Sequence, residues 1–225
     1  MTRAPRPPVP AGTVREPKRA PGRLRIVGGI YRGRKLPVPD QPGVRPTAYR
    51  VRETLFNWLA PIMPGARCLD CFAGSGALGL EAASRGAAEV VMLERAEPVV
   101  RQLVANARTL GAHQVQVVRG DAQRWLEGQG RPFDIVFLDP PFADGLLAPT
   151  SALLARNGWV REGSRVYLEA QARTGLPPLP QGWCLVREQR AGQVAYGLAL
   201  VEPLGGVPGT GSSAGEPTPT ATRHR

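Results

Sequence analysis

Residues 66–81 read Ala-Arg-Cys-Leu-Asp-Cys-Phe-Ala-Gly-Ser-Gly-Ala-Leu-Gly-Leu-Glu. The first five residues have the apolar character of a short buried strand. A tight glycine turn follows, and then the opening turns of a helix. Gly74, Gly76 and Gly79 fall on the G-x-G-x-x-G spacing. Glycine there tolerates positive φ and lets a ligand lie against bare backbone. Helix N–H groups just beyond the turn would face the same ligand.

Two acids narrow the ligand. Asp70 ends the strand, where a carboxylate would repel the pyrophosphate of a dinucleotide. It suits instead the ammonium of an amino-acid-bearing cofactor such as S-adenosylmethionine. Glu94 closes the next apolar run, Val90-Val91-Met92-Leu93, 18 residues beyond Gly76. That is close to the spacing at which an acid grips ribose hydroxyls.

Moving outward, strand and helix patterns alternate. Strands are expected near 66–70, 89–94, 114–119 and 133–138. Helices are expected near 77–85, 96–110, 121–127 and 145–157. Alternation of this kind implies an α/β fold, a mostly parallel sheet covered on both faces. The end differs. Strands near 164–169, 183–189 and 193–201 follow one another, with Ala191-Gly192 as a hairpin turn, so one strand runs antiparallel to the rest.

The chain has 225 residues, 42% apolar, enough for one sizeable domain with tails. Its 29 basic and 18 acidic residues leave a formal charge of +11, which favours a polyanionic partner, nucleic acid first. Cys68 and Cys71 form a lone C-x-x-C. With Cys184, His113 and His224 far off in sequence, no metal is expected, and the thiols read as reduced and part-buried in a cytoplasmic protein. No apolar run is long enough to span a membrane, and no signal peptide is visible.

Residues 1–22 hold six prolines and five bases without an apolar period, and read as a disordered basic arm. Residues 203–225 read as a disordered Gly/Pro/Ser/Thr tail. Between the arm and residue 64 lies a basic extension. Arg23, Arg25, Arg32, Arg34, Lys35, Arg45, Arg50 and Arg52 stand against one acid, Asp40. Short alternating pieces around Gly28-Gly29 and Gly33 suggest a small strand pair, with Tyr31 available to stack on a nucleotide. Pro46 and Thr47 open a helix whose core positions are Val51, Leu55, Phe56 and Leu59. Its exposed face is expected to carry Arg45, Arg50, Arg52 and Glu53. Residues 65–202 form the main domain.

In an open α/β sheet, ligands bind outside the carboxyl ends of the strands. Asp70, Glu94 and Asp139 stand at three such ends, and Asp121 two residues past another. Asp121 could meet an adenine amine or cap its own helix. The sharpest signal is Asp139-Pro140-Pro141-Phe142. Two prolines remove two N–H donors and stiffen the backbone. That leaves the Asp139 carboxylate and the Pro140 carbonyl as fixed acceptors, which suit the two N–H bonds of an exocyclic amine. Phe142 offers a flat face for an extruded base.

Asp70-Cys71-Phe72-Ala73-Gly74-Ser75-Gly76 together with Asp139-Pro140-Pro141-Phe142 resembles the S-adenosylmethionine-dependent amino methyltransferases. Arg32-Gly33-Arg34-Lys35-Leu36, Arg45-Pro46-Thr47, Val51 to Leu59 and Ala191 to Tyr196 narrow this. With them the chain, from about Arg23 to Glu202, resembles the bacterial small-subunit ribosomal RNA guanine-N2 methyltransferase family. That resemblance implies the class I methyltransferase fold, a Rossmann-like sheet of seven strands with the last antiparallel. It implies S-adenosylmethionine over Asp70, Phe72, Gly74 and Gly76, with Glu94 on the ribose and Asp121 near the adenine. Asp139, Pro140, Pro141 and Phe142 would hold the target guanine. Arg25, Tyr31, Arg32, Arg34, Lys35, Arg45 and Arg50 would contact RNA. The expected partner is 16S ribosomal RNA in a small-subunit or assembly particle, met by a monomer. Three rivals remain: an NAD-dependent oxidoreductase, which leaves Asp139–Phe142 unexplained; a non-catalytic RNA-binding assembly factor; and an adenine-N6 DNA methyltransferase.

Overall fold

The computed structural model describes residues 22–39 and 49–203. The elements are β1 (Gly22–Arg25), β2 (Lys35–Val38), α1 (Tyr49–Leu59), β3 (Arg67–Asp70), α2 (Gly79–Ser84), β4 (Glu89–Glu94), α3 (Glu97–Leu110), β5 (Val115–Arg119), α4 (Ala122–Leu126), β6 (Phe133–Leu138), α5 (Leu147–Arg156), β7 (Val160–Gln171), β8 (Trp183–Ala191) and β9 (Val194–Val201). β1 starts at Gly22, the last residue of the arm as read from sequence. Residues 1–21, the helix-opening Arg45, Pro46 and Thr47, and the tail from residue 204 lie outside the described residues.

Seven strands form one sheet in the order β5-β4-β3-β6-β7-β9-β8. β3 to β7 are mutually parallel. β9 runs antiparallel between β7 and β8, and turns out of β8 at Gly192. The chain steps outward from β3 to β4 and β5, then returns to place β6 on the other flank of β3. The loops leaving β3 and β6 therefore diverge, which opens a crevice at their carboxyl ends.

Successive strand residues fall into opposite apolar layers, as the two-residue period requires. Cys68, Val90, Met92, Ile135, Phe137 and Tyr167 pack with α1, α2 and α3 on one face. Leu69, Val91, Leu93, Val136, Leu138 and Leu168 pack with α4, α5, Trp159 and Trp183 on the other. This double burial is why the strands read as continuous apolar runs.

The basic extension joins the first of these layers. Leu24, Ile26, Leu36 and Val38 share its core with Leu55, Phe56 and Leu59 of α1. A single carboxylate on α2 anchors the extension. Glu81, fully buried, accepts the Val27 and Gly28 N–H groups at 2.8 Å each. It also pairs with Arg85 at 2.8 Å and Arg52 at 3.7 Å. At Gly29, φ is +75°, and a Cβ would fall 1.9 Å from the Ser84 carbonyl oxygen. Only glycine permits that approach.

Arg52 departs from expectation. It is 4% exposed rather than part of the solvent face. Its guanidinium donates to the Arg25 carbonyl at 3.1 Å and balances Glu81. Burial lowers its pKa, and the Glu81 charge opposes that shift. Arg50 and Glu53 are exposed as expected.

Candidate active site

β3 ends by delivering Asp70 into the interior, at 1% exposure. Its Oδ2 accepts the Gly79 N–H at 3.0 Å, while Oδ1 is buried without a hydrogen bond. Burial is the main cause that lifts its pKa to about 7; the charges of Asp139 and Glu94 add to this, and the Gly79 hydrogen bond and Phe72 N–H oppose it. An acid in this state calls for a cation.

The glycine turn is built as its spacing suggests, with one difference. α2 begins at Gly79, not residue 77, and its first N–H is turned onto Asp70. The surface beside Asp70 is therefore loop backbone. Gly76 has φ +80° and packs so closely against Leu80 and Leu103 that a Cβ would meet them within 3 Å. A Cβ on Gly79 would meet Met92 at 2.8 Å, whereas one on Gly74 would meet nothing nearer than 3.8 Å. Gly76 and Gly79 thus serve packing, and Gly74 leaves the backbone open.

Glu94 is partly buried at the end of β4 and has two structural partners. Its carboxylate accepts the Gly74 N–H at 3.1 Å and the Ala96 N–H at 2.7 Å, tying the loops after β3 and β4 together. The carboxylate oxygens retain lone pairs for ribose hydroxyls. Gly120 N–H bonds to the Glu94 carbonyl at 3.0 Å, which hangs the Asp121 loop beside it. Asp121 is exposed and caps α4 through the Arg124 N–H at 3.1 Å.

β3 and β6 pair with Asp70 opposite Phe137, which places Asp139 across the crevice from the Asp70 end. Pro140 is buried beneath it, and Phe142 stands 40% exposed at the start of a single 3₁₀ turn. Phe72 is half-buried against the core layer that contains Leu69 and Leu93. Cys68 and Cys71 are buried, free thiols with raised pKa values. Among the described residues no group of three or more His, Cys, Asp and Glu is placed to hold a metal ion, and no helix is long and apolar enough to cross a membrane.

The strand-end residues converge, but the basic residues lie elsewhere. Arg25, Arg32, Arg34 and Lys35 are exposed on the hairpin, and Arg50 is exposed on α1. Tyr31 is half-buried against the core, its N–H on Ser84 Oγ at 2.9 Å. The hairpin tip rests on the carboxyl ends of α2 and α3, through Ser84 and Thr109. That is the end of the sheet where the parallel strands begin, away from Asp70 and Asp139 at their carboxyl ends. Arg25 sits directly across from Lys35 in the hairpin register. Such like-charge pairing is unfavourable until an anion covers it.

Two buried acids escaped the sequence reading. Glu81 follows Ala77-Leu78-Gly79-Leu80 in an ordinary helical stretch and carries no signal. Glu169, at 5% exposure, ends the apolar run Val166-Tyr167-Leu168. The strand-end rule that selects Asp70, Glu94 and Asp139 also selects it.

The family model described as "Conserved hypothetical protein 95" matches residues 24–199. The Ribosomal RNA small subunit methyltransferase D of Escherichia coli K12 is 54% identical over 184 residues, covering 82% of this chain and 93% of that protein. The solved structure of yhhF from Escherichia coli superimposes with a TM-score of 0.76 at 52% identity, covering 80% of this chain and 99% of that one. A precorrin-6y C5,15-methyltransferase from Geobacter metallireducens, at 16% identity and TM-score 0.57 over 74% of this chain and 94% of its own, shares the fold alone. The fold is that of the class I methyltransferases.

Proposed function

We propose that this chain, which belongs to the Conserved hypothetical protein 95 family, is a methyltransferase of ribosomal RNA that acts on the exocyclic N2 amine of a guanine in the 16S RNA. Its cofactor is S-adenosylmethionine. The residues present fit that group. Asp70 offers a buried carboxylate oxygen with no hydrogen bond, suited to an ammonium. Gly74 leaves open backbone, and Glu94 stands where ribose hydroxyls would be gripped.

When bound, the cofactor supplies an electrophilic methyl on a sulfonium that leaves as a neutral thioether. The protein's part is alignment and charge, which can be worth about 7–11 kcal/mol of barrier. Asp139 and the Pro140 carbonyl accept the two N–H bonds of the amine and aim its lone pair across the crevice. Phe142, already exposed, stacks on the extruded base. The hairpin bases hold phosphates of the same RNA.

The observation that carries this reading is the placement of Asp139–Phe142 against the β3 end, close enough for the Asp139 charge to raise the Asp70 pKa. The test is to incubate the protein with labelled S-adenosylmethionine and hypomethylated small-subunit particles, then identify and map the modified nucleoside. N2-methylguanosine is expected. Labelled N6-methyladenosine, or no label, sinks the proposal. Asp139→Ala should lower single-turnover kcat by a hundredfold to a thousandfold, as loss of a preorganised contact does, while cofactor affinity holds. Asp139→Asn separates the roles: partial activity assigns orientation, and loss equal to alanine assigns charge or proton removal.

A further inference from the structure

β7 carries a carboxylate that the reaction above does not use. Glu169 is buried, and the Tyr167 phenol donates to its Oε2 at 2.7 Å. Tyr167 belongs to the core layer that holds α1, and strand alternation sets Glu169 on the same face. In the antiparallel register Glu169 lies opposite Tyr196. The Tyr196 ring stacks on Trp58 of α1, with centroids 5.6 Å apart, and tilts against Tyr167 at 6.3 Å. Tyr167, with its phenol buried in that wall, holds the carboxyl in one orientation.

Toward the crevice, the parallel register pairs Phe137 with Tyr167 and Leu138 with Leu168. The next step sets Asp139 beside Glu169. The two acids feel one another. Burial first, and then the Asp139 charge, push the Glu169 pKa up to about 8, and the Tyr167 hydrogen bond opposes them. A buried acid so placed is costly unless N–H donors meet it.

We propose that Glu169 is a specificity-determining residue of the base pocket, accepting the ring N1–H of the target guanine while Asp139 takes the adjacent 2-amino group. The proposal rests on the guanine-N2 reading above. Guanine's Watson–Crick edge presents N1–H and the 2-amino group side by side, and both are donors. With no donor before it Glu169 favours its protonated form, whereas a guanine N1–H offered at Oε1 favours the carboxylate; two neighbouring carboxylates then match that edge. Adenine places a lone pair on N1 next to its amine, and a carboxylate there would be repelled. The Tyr167 hydrogen bond occupies Oε2, which leaves Oε1 for the base. A site built to bond a ligand N–H rejects an analogue that lacks it, because its own buried group is then unpaired.

The test reverses the role of N1 on the base. The RNA, carrying either guanine or 2-aminopurine at the position mapped as above, is assembled into the particle. 2-Aminopurine keeps the 2-amino group, has an acceptor at N1 and lacks the 6-oxo oxygen, so the change of preference in the Glu169 and Tyr167 variants carries the inference. Single-turnover methyl transfer by the wild type should favour guanine at least a hundredfold. Glu169→Gln, whose amide can donate to N1, should bring that preference within tenfold of unity, partly by a faster rate on 2-aminopurine. Calorimetry should find its S-adenosylmethionine affinity within twofold of wild type. Tyr167→Phe, which releases Oε2, is the second variant, and should reduce the preference severalfold if Glu169→Gln fails to fold. Equal proportional losses on both substrates, or an unchanged preference, overturn the inference. A wild type that methylates guanine N2 with no preference over 2-aminopurine overturns it too, and leaves the proposed function standing. A wild type that does not methylate guanine N2 fails the function itself.

Discussion

Asp70 shows how one side chain is poised by its surroundings. Its folded pKa of about 7 stands above the ordinary 3.8 because burial penalises the charge. Between these values the unfolded chain has released the proton and the folded chain keeps it. Asp70 therefore contributes most stability below about pH 4 and loses it as pH rises toward 7. A cationic amine reverses the preference, since only the carboxylate attracts it. Cofactor affinity should rise with pH between 5.5 and 7, by up to about tenfold per unit, before the amine itself begins to titrate. Asp70→Asn should flatten this profile in calorimetry and lower affinity at pH 7.5 at least tenfold, about 1.4 kcal/mol. The same variant without cofactor should melt higher than wild type at pH 8. A pH-independent wild-type affinity would count against Asp70 as the ammonium partner. Phe142 is the other informative single residue. Phe142→Ala should weaken capture of the RNA target by about 1–3 kcal/mol, and Phe142→Tyr should retain most of it.

At the scale of the element, α2 is a clamp. Its amino end closes the glycine turn onto Asp70, and its interior holds Glu81 against the basic extension. Removing Glu81 takes the carboxylate from Arg52 and Arg85, and leaves the Val27 and Gly28 N–H groups without that acceptor. Breaking one side of a buried ionic network typically costs about 3–5 kcal/mol. Glu81→Ala should lose that much in denaturant unfolding. Glu81→Gln should lose less, because its oxygen can still accept one N–H. Gly29→Ala attacks the same junction by sterics at the Ser84 carbonyl. If Glu81→Ala unfolds within about 1 kcal/mol of wild type, the clamp is not what holds the extension.

For the whole molecule, the arrangement of charge matters more than its total of +11. The hairpin bases and the strand-end acids lie toward opposite ends of the parallel strands, joined by the face that carries α2 and α3. An RNA that meets both must run along this face, so short oligonucleotides around the target should be poor substrates compared with particles. RNA affinity should fall with salt, with a log–log slope of several units. Replacing Arg32, Arg34 and Lys35 together with alanine should flatten the slope by up to about three units and leave cofactor affinity unchanged. Arg34 also donates to the Thr109 carbonyl, so the variant's melting temperature is the control. An unaltered slope moves the RNA surface off the hairpin.

Local pattern was enough for the sheet and for the acids at its ends. A buried parallel strand is a short continuous apolar run, and a carboxylate at its end breaks that run visibly, as Asp70, Glu94 and Asp139 do. The terminal hairpin was equally legible from Ala191-Gly192. What pattern cannot show is which distant groups share one dielectric environment. Arg52 looks like one more surface base until Glu81, 29 residues later, is folded against it. Glu169 ends an apolar run as the other acids do, but only the pairing of β6 with β7 sets it beside Asp139. The order β4-β3-β6, not any local sequence, puts Asp70 and Asp139 on one crevice. Tertiary packing alone decided these points. The energy of a charge depends on what surrounds it in space, and chain neighbours report little of that.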